Sequence, residues 1–125
     1  SEDYLSKVND ETFLVVQIET PEAVSNVEEI AAVPGVDGLF IGPGDLGLRL
    51  KYDTSGLTLE SAVEQVAAAC KKHGKAWGMP VAGEELLRKR RQQGGQILSN
   101  GGDFGAFMNM LQESAADFDT VAQEG

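Results

Sequence analysis

An α/β fold built on a parallel sheet is the architecture this 125-residue chain predicts. Three observations carry it. The run Phe13-Leu14-Val15-Val16 is apolar and β-branched without alternation, the mark of a strand buried on both faces. Thr20-Pro21-Glu22 follows as a helix start, with an N-cap, a first-turn proline and an acid at the positive dipole end. The same strand-then-helix order then recurs, giving four βα units with right-handed crossovers.

Taken in order, residues 1–11 read as the end of a preceding helix, with Tyr4, Leu5 and Val8 as its apolar points. The first strand begins at Phe13. Ala23, Val24, Val27, Ile30 and Ala31 form one apolar stripe at helical spacing, and Pro34-Gly35 stops that helix. Val36 to Ile41 is the second strand. Gly42-Pro43-Gly44-Asp45 reads as a tight loop whose glycines let backbone approach a ligand, and residues 46–57 read as irregular. Thr58 caps a helix lined by Leu59, Ala62, Val63, Val66 and Cys70, and His73-Gly74 closes it. Lys75 to Val81 is the third strand, Glu84 to Gln93 a helix, and Gln96 to Asn100 the fourth strand. Gly101-Gly102-Asp103 opens a last helix through Met108 and Leu111, with a frayed tail over 116–125. The whole is one domain, 1–125. On pattern alone, an open doubly wound sheet competes with half of a (β/α)₈ barrel, which typically needs ~250 residues.

Composition bounds the partners. The net charge of −10 argues against nucleic acid, whose phosphates need a basic surface. No apolar run reaches the ~18 residues of a membrane span, and no basic-then-apolar leader opens the chain. The single cysteine, Cys70, cannot form an internal disulfide, so a reducing, cytoplasmic setting is expected. A start at Ser1 leaves room for a longer parent.

Two acids stand just past predicted strands. Glu19 ends Val15-Val16-Gln17-Ile18-Glu19-Thr20, and Asp45 follows Gly38-Leu39-Phe40-Ile41-Gly42-Pro43-Gly44. In parallel α/β folds, sites assemble at the C-terminal ends of strands. Neighbouring strands would bring both carboxylates to one rim. Without nearby histidine or cysteine they suit a hard cation such as Mg²⁺ or Mn²⁺. The plainer alternative is that Glu19 is a helix-start acid and Asp45 a turn or cap residue.

Gln17-Ile18-Glu19-Thr20, followed by Val33-Pro34-Gly35-Val36-Asp37-Gly38-Leu39-Phe40-Ile41-Gly42-Pro43-Gly44-Asp45-Leu46, resembles the HpcH/HpaI aldolase/citrate lyase family. The likeness is to its metal-dependent (class II) pyruvate aldolases of 2-keto-3-deoxy sugar acids and 4-hydroxy-2-oxo diacids. Gly-Pro-Gly-Asp-Leu also resembles macrophomate synthase-like members. The resemblance spans roughly residues 4–112 and implies the second, C-terminal half of a TIM barrel. It implies Glu19 and Asp45 as ligands of a divalent metal, Mg²⁺ foremost, with Mn²⁺ or Co²⁺ as alternatives. It also implies Gln17, Gly42, Pro43, Gly44, Asp45 and Leu46 as the segment holding pyruvate or another 2-oxo acid, with Leu46 bordering the aldehyde side. The metal's Lewis acidity would stabilise the enolate formed as the carbon–carbon bond breaks.

The departures from the family matter as much. Its catalytic arginine and histidine belong to the first barrel half, and no motif in these residues replaces them, so no catalytic residue is identified here. Ser99 and Asn100 put polar groups where the family is apolar. The chain therefore reads as an incomplete aldolase region that partners a missing N-terminal half-barrel or a second copy of itself, as a homo-oligomer. A self-associating half-barrel and a non-catalytic interaction scaffold are the alternative readings.

The remaining candidates read mainly as structural. His73 is a C-terminal cap favoured by the helix dipole, Arg88-Lys89-Arg90-Arg91 a solvated helix face, Trp77 packing or interface, and Cys70 core. Gly42-Pro43-Gly44 lacks the spacing of a nucleotide loop.

Overall fold

The computed structural model describes residues 2–124, less the side chains of residues 2, 3, 5, 6 and 9. Ser1, Gly125 and the Leu5 side chain thus lie outside the described residues. The elements run α1 (Glu2–Glu11), β1 (Val15–Ile18), α2 (Pro21–Ser25), α3 (Val27–Ala32), β2 (Gly38–Ile41), α4 (Pro43–Leu50), α5 (Leu59–His73), β3 (Ala76–Val81), α6 (Gly83–Gln92), β4 (Ile97–Asn100) and α7 (Asp103–Gln123).

All strand pairings are parallel, and the strands lie in chain order, β1-β2-β3-β4. That order decides between the two architectures. A doubly wound sheet reverses its strand order at a switch point, whereas a barrel winds one way. Right-handed crossovers between successive neighbours then put the helices on one face. Burial agrees: Ile18, Leu39, Ile41, Trp77, Met79 and Val81 are buried beneath the helices, together with Val24, Val27, Ala31, Val63 and Val66. Each buried Val, Leu, Ile or Met side chain among them contributes roughly 1.5–3 kcal/mol. The other face is open, and Gln17, Pro80 and Ser99 on it are exposed.

Strand burial therefore alternates, and the expectation of a first strand buried on both faces is corrected. A four-stranded sheet encloses no lumen, so its inward-facing residues meet solvent. Phe13 and Leu14 precede the ladder and are exposed. Their apolar character matched that of the strand, but pairing with β2 begins only at Val15.

Helix ends follow the cap chemistry. The Thr20 hydroxyl accepts from the Ala23 amide at 3.0 Å. Thr58 and Ser61 form a reciprocal capping box at the start of α5. Gly74 ends α5 in the left-handed conformation at φ 65°. Three expectations change. The helix after β1 is two short helices broken at Asn26, although its apolar stripe stays continuous on the core. Gly42-Pro43-Gly44-Asp45 is no loop: Gly42 is the N-cap of α4, Pro43 its first residue, and the helix continues to Leu50. Leu46 and Leu50, one turn apart, pack on the core and hold it helical. The tail does not fray near Ala116, since α7 is helical to Gln123 with no buried residue.

Candidate metal and 2-oxo acid site

The register aligns Gln17 with Phe40 and Ile18 with Ile41, so the next residue of each strand line, Glu19 and Gly42, stands at the same level. The close neighbours of Gly42 agree. A Cβ built there would lie 2.7 Å from Gln17 Nε2, 3.1 Å from Glu19 Cβ and 3.2 Å from Glu19 Oε2. Gly42 is thus a cradle against which the side chains of Gln17 and Glu19 rest, at the C-terminal ends of β1 and β2. Its amide donates to the Ile18 carbonyl at 3.0 Å, extending the ladder to this point.

Asp45 lies in the first turn of α4 and is exposed, while Glu19 is half-buried. The Gly44 and Asp45 amides fall among the first helical N–H groups, which have no intrahelical acceptor. A Cβ at Gly44 would meet nothing within 4 Å, so this turn opens into free space. The positive end of the α4 dipole and these two amides suit an anionic group.

One expected residue is out of place. Leu46 is fully buried in the core, and its amide donates to the Gly42 carbonyl at 3.0 Å. Neither its side chain nor its N–H is available to a ligand; it anchors α4 instead. Periodicity carries that signal, because Leu46 and Leu50 share a helix face.

Among the described residues, no three His, Cys, Asp or Glu side chains cluster as a metal cage. Two carboxylates alone still fit a hard cation that keeps several water or substrate oxygens. Two larger clefts, about 430 Å³ beside Pro21 and Asp53 and about 460 Å³ beside Phe13 and Asp37, are not lined by Glu19 or Asp45.

The other candidates are structural. His73 Nε2 lies 2.7 Å from Glu28 Oε1, fastening α5 to α3 rather than capping its own helix. Lys72 pairs with the same carboxylate. Lys72 and then His73 hold the Glu28 carboxyl below its usual range. Cys70 is fully buried, and burial pushes its thiol up to about 11. Trp77 belongs to the core.

The basic run departs from a solvated face at one position. Arg90 is buried, and its guanidinium holds Glu60 through two 2.9 Å contacts. Arg90 lies on the stripe begun by Leu86 and Leu87, which is the periodic signal that singles it out. Asn100 Oδ1 accepts from the Gly83 amide at 3.3 Å, so one of the polar residues ending β4 ties that strand to the start of α6.

A singly wound parallel half-barrel with two carboxylates and a helix start at its C-terminal rim defines the class: a piece of a (β/α)₈-type enzyme scaffold. The HpcH/HpaI aldolase/citrate lyase family model matches residues 2–110, and the chain belongs to that family. It is 36% identical over 122 residues to the 4-hydroxy-2-oxo-heptane-1,7-dioate aldolase of Escherichia coli, a match covering 96% of this chain and 47% of that protein. A crystal structure of an HpcH/HpaI aldolase/citrate lyase family protein from Burkholderia cenocepacia superposes with a TM-score of 0.79 at 32% identity, over 94% of this chain and 46% of that one. Macrophomate synthase shares the fold, with a TM-score of 0.77 at 22% identity, over 97% of this chain and 43% of that one. The chain thus spans about half the length of the relatives it matches.

Proposed function

We propose that this chain is the metal- and substrate-holding region of a carbon–carbon lyase acting on a 2-oxo acid such as pyruvate. The observation that carries the reading is the convergence of Gln17 and Glu19 on Gly42, beside the helix start that bears Asp45. Glu19 and Asp45 would hold a divalent cation, Mg²⁺ foremost, with Mn²⁺ or Co²⁺ as substitutes. When bound, the cation supplies Lewis acidity to the 2-oxo acid. The chain's own residues do the rest of the positioning. Gln17 directs its carboxamide across Gly42, Pro43 fixes the start of α4, and the Gly44 and Asp45 amides receive the substrate carboxylate. No proton-transferring residue stands among these groups, so the region binds without completing the reaction alone. The aldolase named among its relatives supports the 2-oxo acid class.

Calorimetric titration tests this directly. Pyruvate is expected to bind only when Mg²⁺ or Mn²⁺ is present, and Glu19→Ala or Asp45→Ala should abolish both events. Gly42→Ala should weaken metal binding by displacing the Glu19 side chain while leaving the chain folded. Metal-independent pyruvate binding, or unchanged binding in the two carboxylate variants, would rule the site out.

The open face and the two bare edges, β1 and β4, favour a second reading of the same chain as a self-associating half-barrel. Unpaired parallel edges are a liability in an isolated sheet, and a second copy would cover them. Light scattering is expected to return a dimer or larger species; a clean monomer contradicts this reading.

A further inference from the structure

The end of the sheet opposite Glu19 and Asp45 carries a cavity of about 220 Å³ between α5 and α6. Ala67 and Lys71 of α5, Lys75 and Trp77 at the start of β3, and Gln93 and Gly94 beyond α6 line it. In a chain of net charge −10, this lining holds two lysines and, among the described residues, no carboxylate.

Its floor is a donor without an acceptor. Trp77 is 2% exposed, and its indole N–H has no hydrogen-bond partner among the described residues. The indole can only donate, and its Nε1 is not one of the buried atoms without a partner, so the N–H meets solvent at the cavity and is open to an acceptor there. The N–H edge faces the cavity: a Cβ on Gly94 would stand 3.8 Å from Trp77 Nε1.

The neighbouring groups are fixed or saturated. Lys75 Nζ donates to the Val36 carbonyl at 2.5 Å, which anchors its ammonium and leaves two protons to give. Gln93 accepts from Arg90 Nη1 at 2.7 Å and donates to Glu60 at 3.1 Å, so it forms a rigid wall. Glu60, the nearest acid in that network, is already engaged by Arg90 and Lys89. Lys71 has no ion-pair partner among the described residues.

We propose that this cavity binds a small oxyanion, a phosphate or carboxylate group, held by the Lys71 and Lys75 ammoniums and the Trp77 indole N–H. Charge-assisted bonds from the lysines would supply the attraction, and the indole the direction. The site is separate from the Glu19 and Asp45 rim and does not depend on it.

Trp77 is the one tryptophan of the chain, so ¹⁵N-labelled protein gives a single indole N–H resonance that reports the site. Inorganic phosphate, succinate and chloride would be titrated at matched ionic strength. A saturable shift with phosphate or succinate and none with chloride is expected, and the anion that saturates identifies the source. Lys71→Gln should raise the midpoint roughly tenfold, as the loss of one charge-assisted bond implies, and Lys71→Arg should restore it. An unmoved resonance, an equal shift with chloride, or an unchanged midpoint in Lys71→Gln would overturn the proposal. The lysines would then serve only to offset the C-terminal dipoles of α5 and α6.

Discussion

Replacing Gly78 by alanine is expected to destabilise the chain by about 3 kcal/mol or more, seen as a lower urea midpoint. Gly78 pairs with Ile97 across β3 and β4. A Cβ at Gly78 would fall 1.7 Å from the Ile97 carbonyl oxygen and 2.6 Å from the Ile97 Cβ. The obstacle is backbone, which cannot rotate aside as a flexible side chain would. The strands must separate or shift register, and a slip in register sacrifices the burial of Leu98. Gly47→Ala supplies the contrast. It lies within α4, a Cβ there would meet nothing within 4 Å, and removing a helical glycine should stabilise by roughly 0.5–1 kcal/mol. Equal stability of Gly78→Ala and the parent would contradict the β3–β4 pairing.

Arg90→Met is the second large effect. Arg90 is 4% exposed and ties α6 to the first turn of α5 through Glu60 and Gln93, while its Nε has no partner. Breaking a buried pair by removing one partner costs ~3–5 kcal/mol when the remaining charge stays buried. The Glu60 side chain is 39% exposed and can rehydrate, so the expected loss is nearer ~2 kcal/mol. Adding Glu60→Leu to Arg90→Met should recover most of it, because an apolar pair leaves no stranded charge.

The pH dependence follows from the same contact. Arg90, then Lys89, hold the Glu60 carboxyl at about 2, down from 4.5. A depressed folded-state value means that the contribution is complete above 4.5 and is lost as pH falls through about 2. Thermal melts across that window should show the parent losing more stability than Arg90→Met. Parallel acid profiles would contradict the role of the pair.

Much of the fold is legible in the residues, and the physical reason is local. Thr20, Thr58 and Gly74 act through hydrogen bonds or backbone freedom within a few positions, so their caps can be read directly. The stripe of Ala62, Val63, Val66 and Cys70 is a matter of helical period. What depends on the partner strand is not legible. Phe13 and Leu14 have strand composition, yet the ladder starts at Val15 because β2 pairs no earlier. Gly42-Pro43-Gly44 suggests a loop, but Pro43 suits a first helical position and the packing of Leu46 and Leu50 decides for helix. Arg90 hides in a basic run whose other members face solvent. At the site, Gln17, Glu19 and Gly42 converge as the two strand ends imply, whereas Leu46 turns inward, because a helix sends its fourth residue to another face.

The proposed sharing of one divalent cation by Glu19 and Asp45 is open to a direct measurement. Titrating Mn²⁺ into the protein and following the free ion by electron paramagnetic resonance tests it most directly. The parent is expected to bind one Mn²⁺ per chain. Glu19→Gln and Asp45→Asn should each weaken that binding by at least roughly tenfold to a hundredfold, the loss seen when even an outer partner of a metal site is removed. Binding of Mn²⁺ with equal affinity by the parent and both variants would contradict the account.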